Sequence, residues 1–142
     1  MLNSPLQLET YWITNIQYKM DPGANPENRP ELGSDIKIWK NEEDPSWWCV
    51  LLKLSFKSKP KKPSTFSGSF EIVGYFQVVE DYSFEPQTLV EFNGPAVLYG
   101  IIRDHISNLT SNSPHGRIVL PTVMFGKKQD NTKKKSRKKT SP

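Results

Sequence analysis

Apolar and polar positions alternate along residues 5–20. Leu6, Leu8, Trp12, Ile16, Tyr18 and Met20 share one parity; Gln7, Glu9, Asn15, Gln17 and Lys19 share the other. A period of two is that of a strand with one face on a core and one in water. Tyr11 and Ile13 interrupt the polar parity, so part of that face is expected to be covered. Residues 21–34, DPGANPENRPELGS, hold three Pro and two Gly and predict a surface loop. Strands are predicted at 35–40 and 47–57, joined by an acidic turn at Asn41–Ser46. In the second of these, Trp48, Val50, Leu52, Leu54 and Phe56 line one face, and Lys53, Ser55 and Lys57 the other. A basic turn, KSKPKKPS, leads to a fourth alternating stretch at 65–79. There Phe66, Phe70, Ile72, Phe76 and Val78 share a face with Gly68 and Gly74, which predicts a bulge or close approach of another chain segment.

The period then changes. Asn93-Gly94 can cap a helix, and Pro95 suits its first position, where the missing N–H costs nothing. Val97, Leu98, Ile101, Ile102, His105, Ile106 and Leu109 recur at helical spacing, with Arg103, Asp104, Ser107 and Asn108 on the other side. Residues 80–92 read as a connection with at most one helical turn after Pro86. The polar run Thr110–Pro114 ends the helix, and a short apolar segment, Ile118–Phe125, follows. Four strands joined by short turns, then a helix, predict an α+β fold. It is a four-stranded antiparallel sheet with one long helix packed on one face.

Composition changes this picture in two places. The net charge of +4 is unevenly spread. Residues 126–142 carry eight Lys/Arg and one Asp, whereas residues 1–125 carry 11 basic and 14 acidic side chains. A mildly acidic domain, 1–125, therefore precedes a basic tail, 126–142, which has no apolar residue to anchor it and reads as disordered. The aromatic residues are also numerous for one small sheet. Even-numbered rings fall on the core parity, but Trp39, Trp47 and Tyr75 have the opposite one and predict an exposed aromatic patch, the mark of a binding surface.

Catalytic signatures do not emerge. The sequence has no CxxC pair, HxxxH, HExxH, Gly-rich phosphate loop or GxSxG. His105 and His115 lack metal spacing, Cys49 reads as a packed thiol, and Glu42-Glu43-Asp44 reads as a solvated turn rather than a cation site. No enzyme, cofactor or metal is expected. The single cysteine excludes an intrachain disulfide and fits a reducing cytoplasm. The first ten residues lack the pattern of a signal peptide, and no apolar run is long enough to span a membrane, so no membrane insertion is expected.

The segment 93–125 resembles the SecB family of protein-export chaperones. That family's helix has the form PxxLFPYAREcIssLvsrG, followed by l.LpPvNF. The matching residues here are Gly94-Pro95, Leu98-Tyr99, Arg103, Ile106, Leu109, Leu120-Pro121 and Val123-Met124-Phe125. FEIVGYFQV resembles the family's third strand, and the Pro-rich loop after the first strand its crossover loop. The resemblance covers about residues 5–125. It departs after Phe125, where the family's second helix is replaced by the basic tail. It implies an ATP-independent holdase for unfolded or precursor polypeptides, assembled as a dimer of dimers. By resemblance, clients would meet Trp39, Trp47, Tyr75, Pro26 and Pro30. Leu98, Ile101, Ile102, Ile106 and Leu109 would form the core and oligomer helix. The family docks on the export motor SecA through acidic residues on the sheet. The positions here are Asn15 and Lys19, a poorer fit to a basic partner. An antitoxin client of a toxin–antitoxin system is an alternative to export.

The tail supports a second function class, a nucleic-acid or ribosome-associated binder with strong salt dependence; the plain reading is a solubilising tail. Either way it is expected to be dispensable for folding. Deleting residues 126–142 should change thermal stability by no more than about 0.5 kcal/mol in a melting experiment.

Overall fold

The computed structural model describes residues 2–79 and 85–126. Strands β1 (Leu6–Met20), β2 (Glu31–Lys40), β3 (Trp47–Lys57) and β4 (Phe66–Val78) precede one helix, α1 (Pro86–Leu109). The strands form one antiparallel sheet in the order β1-β4-β3-β2, and α1 lies against its β4 and β3 side. This is the α+β architecture that the alternation predicts. No second helix follows α1 among the described residues; the expected basic tail lies outside them apart from Gly126.

The two central strands follow their sequence pattern throughout. Val50, Leu52, Leu54 and Phe56 of β3 and Phe66, Phe70, Ile72 and Phe76 of β4 are all buried on the helix side of the sheet. Phe56 packs on Phe66 and Phe70 at ring separations of 5.5 and 6.0 Å. Each such side chain contributes about 1.5–3 kcal/mol by leaving water. The helix meets this surface with a stripe at four-residue spacing: Val90, Gly94, Leu98, Ile102 and Ile106. Successive fourth residues lie nearly above one another on a helix. A Cβ on Gly94 would lie 3.1 Å from Val50 Cγ2, and one on Gly74 2.7 Å from Leu98 Cδ2. Bare backbone at these two positions lets helix and sheet approach.

Three expectations are corrected. First, β1 does not keep one parity. Its register against β4 shifts between Leu8 and Thr10 and again between Ile13 and Asn15. Each bulge adds a residue and exchanges the faces. Tyr11 and Ile13 therefore join the helix-side face, while Trp12, expected in the core, stands on the opposite face, paired with Val73 and 56% exposed. After the second bulge Ile16, Tyr18 and Met20 return to the helix side.

Second, β2 begins at Glu31 rather than at residue 35. Glu31, Leu32, Gly33 and Ser34 pair with Lys57, Phe56, Ser55 and Leu54. Ladder pairing with a fully formed β3 outweighs the weak strand preference of Gly33. Third, the helix begins at Pro86, not at Pro95. Pro86 occupies the first turn, and Pro95 sits inside the helix. Pro95 forgoes a helical hydrogen bond, which costs about 3 kcal/mol. Burial of Leu89, Val90 and Pro95 itself against the sheet offsets this. Asn93, expected as a cap, instead donates from Nδ2 to the Leu89 carbonyl at 3.1 Å. On the predicted apolar face, Val97 and Leu109 are each 41% exposed.

Beyond the helix, residues 111–126 return along the β2 side of the sheet without regular secondary structure. Thr110, fully buried, fastens this return. Its hydroxyl donates to the Ile106 carbonyl at 2.7 Å and accepts the Ile118 amide at 2.8 Å. Farther on, the Tyr99 hydroxyl donates to the Pro121 carbonyl, and the Tyr99 ring meets Phe125 edge-on at 5.8 Å.

Two glycines test the packing. A Cβ on Gly68 would lie 2.1 Å from the Gln17 carbonyl oxygen of β1, whereas one on Gly100 meets nothing within 4 Å. Gly68→Ala should lower the chemical-denaturation midpoint, by about 1–3 kcal/mol of stability. Gly100→Ala should raise it, by about 0.5–1 kcal/mol through helix propensity.

Candidate functional site

The residues that sequence reasoning selects do not form one site. The sheet and helix distribute them over two surfaces of different chemistry.

The first is the sheet face turned away from the helix. Antiparallel pairing sets Trp39 beside Cys49 and Cys49 beside Tyr75, with Trp47 at the next outward position of β3. Trp39, Trp47, Cys49 and Tyr75 line a shallow depression of about 250 Å³. Trp12 completes this patch from β1, its ring edge-on to Tyr75 at 5.4 Å. Trp12 was missed because its parity in the sequence points inward, and only the bulges turn it out. Trp39 is 49% and Tyr75 37% exposed. An exposed aromatic cluster of this kind is the mark of a binding surface.

Cys49 lies within this patch. Partial burial pushes its thiol above the usual range, and a hydrogen bond with Tyr75 pulls it partly back; the Tyr75 hydroxyl is raised chiefly by the neighbouring Cys49 charge. The adjacent Trp48 faces the other way into the core, with its indole N–H unpaired and Lys40 5.8 Å from its ring. Farther along the outer face the aromatic patch gives way to charge. Lys53 pairs with Glu71 at 3.7 Å, and Thr14 donates to the Glu71 carboxylate at 3.1 Å. Asn15 and Lys19 stand on this same face of β1, opposite Glu71 and Ser67. Asp35, Lys53 and Glu71 share the row of Asn15 across this face, so its charge is mixed.

The second surface is a groove on the helix side, between β2 and the returning segment. Loop 21–30 closes one end. Asp21 N–H donates to the Thr65 carbonyl, Asn28 Nδ2 donates to the Pro63 carbonyl, and the His115 ring nitrogen lies 3.3 Å from the Pro22 carbonyl. These contacts hold the loop against both the β3–β4 connection and the return. Pro26 and Pro30 line the resulting cavity, about 400 Å³, over Leu32, Phe56, Phe66 and Leu120. A second cavity of about 310 Å³ adjoins it at Leu32 and runs toward Tyr99 and Phe125. The two prolines thus belong to the groove, and Trp39, Trp47 and Tyr75 to the opposite face.

Of the helical residues singled out, Leu98, Ile102 and Ile106 are fully buried on the sheet. Ile101 is half-buried against the core, and Leu109 is largely exposed at the helix end. The acidic turn spends its polar groups on itself: the Asn41 side chain accepts from the Glu43 and Asp44 amides, and Asp44 accepts from Ser46. Among the described residues no helix is long and apolar enough to cross a membrane.

No family model matches the chain. An uncharacterized protein of Methanocaldococcus jannaschii is 24% identical over 121 residues, which cover 83% of this chain and 78% of that protein. Among solved structures, the SecB-like chaperone Rv1957 of Mycobacterium tuberculosis, in complex with a ChAD peptide from the Rv1956 HigA1 antitoxin, matches with a TM-score of 0.60. That match covers 83% of this chain and 87% of the other at 14% identity. A Streptococcus agalactiae protein of unknown function matches with a TM-score of 0.48 at 15% identity, over 82% and 96% of the two chains. At 14% identity the likeness to the chaperone is one of fold: this chain has the SecB-like α+β fold.

Cys49 offers a readout of the outer face. With its thiol raised above the ordinary value by partial burial, maleimide labelling near neutral pH should be slow and should accelerate as pH rises. Tyr75→Phe removes the stabilising hydrogen bond and should move the profile to higher pH. A profile unchanged in the variant would show that the two side chains are not coupled.

Proposed function

We propose that this chain is an ATP-independent holdase that binds extended, unfolded polypeptides, and that it is not an enzyme. One observation carries the reading. On a SecB-like fold, two cavities that meet at Leu32 lie between β2 and the returning segment, with Phe56, Phe66 and Leu120 in the lining of the larger. Such a groove binds by removing apolar area from water, worth about 25 cal/mol per Å², and specifies no single client side chain. The aromatic patch of Trp12, Trp39, Trp47 and Tyr75 gives a long client a second apolar landing.

An antitoxin client fits better than general export. The structural neighbour holds an antitoxin peptide, and the outer face around Asn15 and Lys19 offers a basic motor such as SecA little complementary charge. A nucleic-acid role for the basic tail remains the other reading in the charge distribution. Gel retardation of an oligonucleotide at low salt, lost at higher salt, would support it.

The working form in this proposal is a homotetramer. Edge strand β1 exposes Tyr11, Trp12, Ile16 and Tyr18, and the outward side of α1 exposes Phe92, Val97 and Leu109. A second copy is the ordinary cover for such surface. Sedimentation should give a mass of about four chains; a stable monomer at micromolar concentration would count against it.

Adjacent tryptophans test client binding. Trp47→Ser should retain the circular dichroism spectrum and protect an unfolded client from aggregation less well, with no effect of ATP. Trp48→Ser should lose about 3–5 kcal/mol of stability, because Trp48 is a core residue. Two folded variants with undiminished protection would remove the aromatic face from the binding surface.

A further inference from the structure

We propose that the groove between loop 21–30 and the returning segment selects extended client segments in which an acidic side chain adjoins apolar ones. This rests on the holdase reading and adds which polypeptides the groove prefers. The walls carry Arg29, from the loop, and Arg117, from the return, on either side of an apolar floor; no Asp or Glu lines the cavity. Both arginines are exposed. Among the described residues the one ion pair joins Lys53 and Glu71 on the opposite face of the sheet, so neither guanidinium is neutralised. The walls are also held in place. Asn28 ties the loop to Pro63, His115 ties the return to Pro22, and the Ile118 amide is fixed to Thr110. Two unpaired guanidiniums on anchored walls above an apolar floor complement a carboxylate flanked by apolar side chains.

The chain's own tail is the wrong occupant. With eight Lys/Arg against one Asp it would be repelled. Both guanidiniums remain in contact with water, so the effect is a preference rather than a requirement: about threefold to tenfold in affinity.

The test uses three labelled peptides with one apolar frame and a central Asp-Asp, Asn-Asn or Lys-Lys pair. Their binding to the full chain is measured by fluorescence anisotropy. The acidic peptide should bind about threefold to tenfold more tightly than the amide one, and the lysine peptide more weakly than either. Added salt should narrow the gap. In the double variant Arg29→Gln, Arg117→Gln the acidic preference should shrink to whatever the tail alone supplies, with the circular dichroism spectrum unchanged. The tail is common to both proteins, so the part of the acidic preference that the double variant loses is the groove's own. Equal affinities in the unaltered chain, or an acidic preference undiminished in the double variant, would overturn the inference. A single-stranded oligonucleotide that displaces the acidic peptide more strongly than unlabelled peptide does would overturn it too, and would assign the groove to nucleic acid. If the chain protects an unfolded client yet binds none of the peptides, this inference alone fails. If it neither protects nor binds, the holdase reading fails with it.

Discussion

The seating of α1 on β3 and β4 determines most of the molecule. A helix of 24 residues is about 36 Å long and about 10 Å wide, whereas four strands at about 4.8 Å spacing span more than that width. One helix therefore roofs the two central strands and leaves the outer two partly open. The stripe from Val90 to Ile106 fits because Gly94 and Gly74 bring the surfaces together. On the β2 side, the open strip is narrowed into a groove by the returning segment. On the β1 side, apolar side chains remain uncovered. The far face has no roof at all.

Those three unroofed regions differ in chemistry. The outer face combines an aromatic cluster with a charged row around Lys53 and Glu71. The β2 groove is apolar at its floor and basic at its rim. The β1 edge is apolar and bulged. A bulge disrupts straight strand pairing, so β1 is shaped against indiscriminate edge-to-edge growth while still offering apolar surface to a specific partner.

The sequence revealed these features unevenly. Strands β3 and β4 are legible because their alternation is unbroken, and so the outward parity of Trp47 and Tyr75 could be read directly. The bulges in β1 leave no sequence mark: Glu9 and Thr14 are ordinary strand residues, yet between them the faces exchange and carry Trp12 outward. The helix start was misplaced because two prolines, Pro86 and Pro95, both suit a first turn; only the burial of Leu89 and Val90 selects the earlier. The basic rim was invisible for another reason. Arg29 and Arg117 are far apart in the chain and meet only because the segment after Thr110 doubles back along β2.

The fastening of that segment has a mechanical consequence. Residues 117–126 make no backbone-to-backbone hydrogen bond among the described residues; the Thr110, Tyr99 and Arg103 side chains hold them. One wall of the groove is thus an edge strand paired along its length with β3, and the other is a strap held by three side-chain hydrogen bonds, each worth about 1 kcal/mol, and by the packing of Leu120 and Phe125. The first wall can be displaced only by breaking a ladder; the second rests on side-chain contacts, so a substitution at Thr110, Tyr99 or Arg103 would bear on the groove and leave the sheet paired.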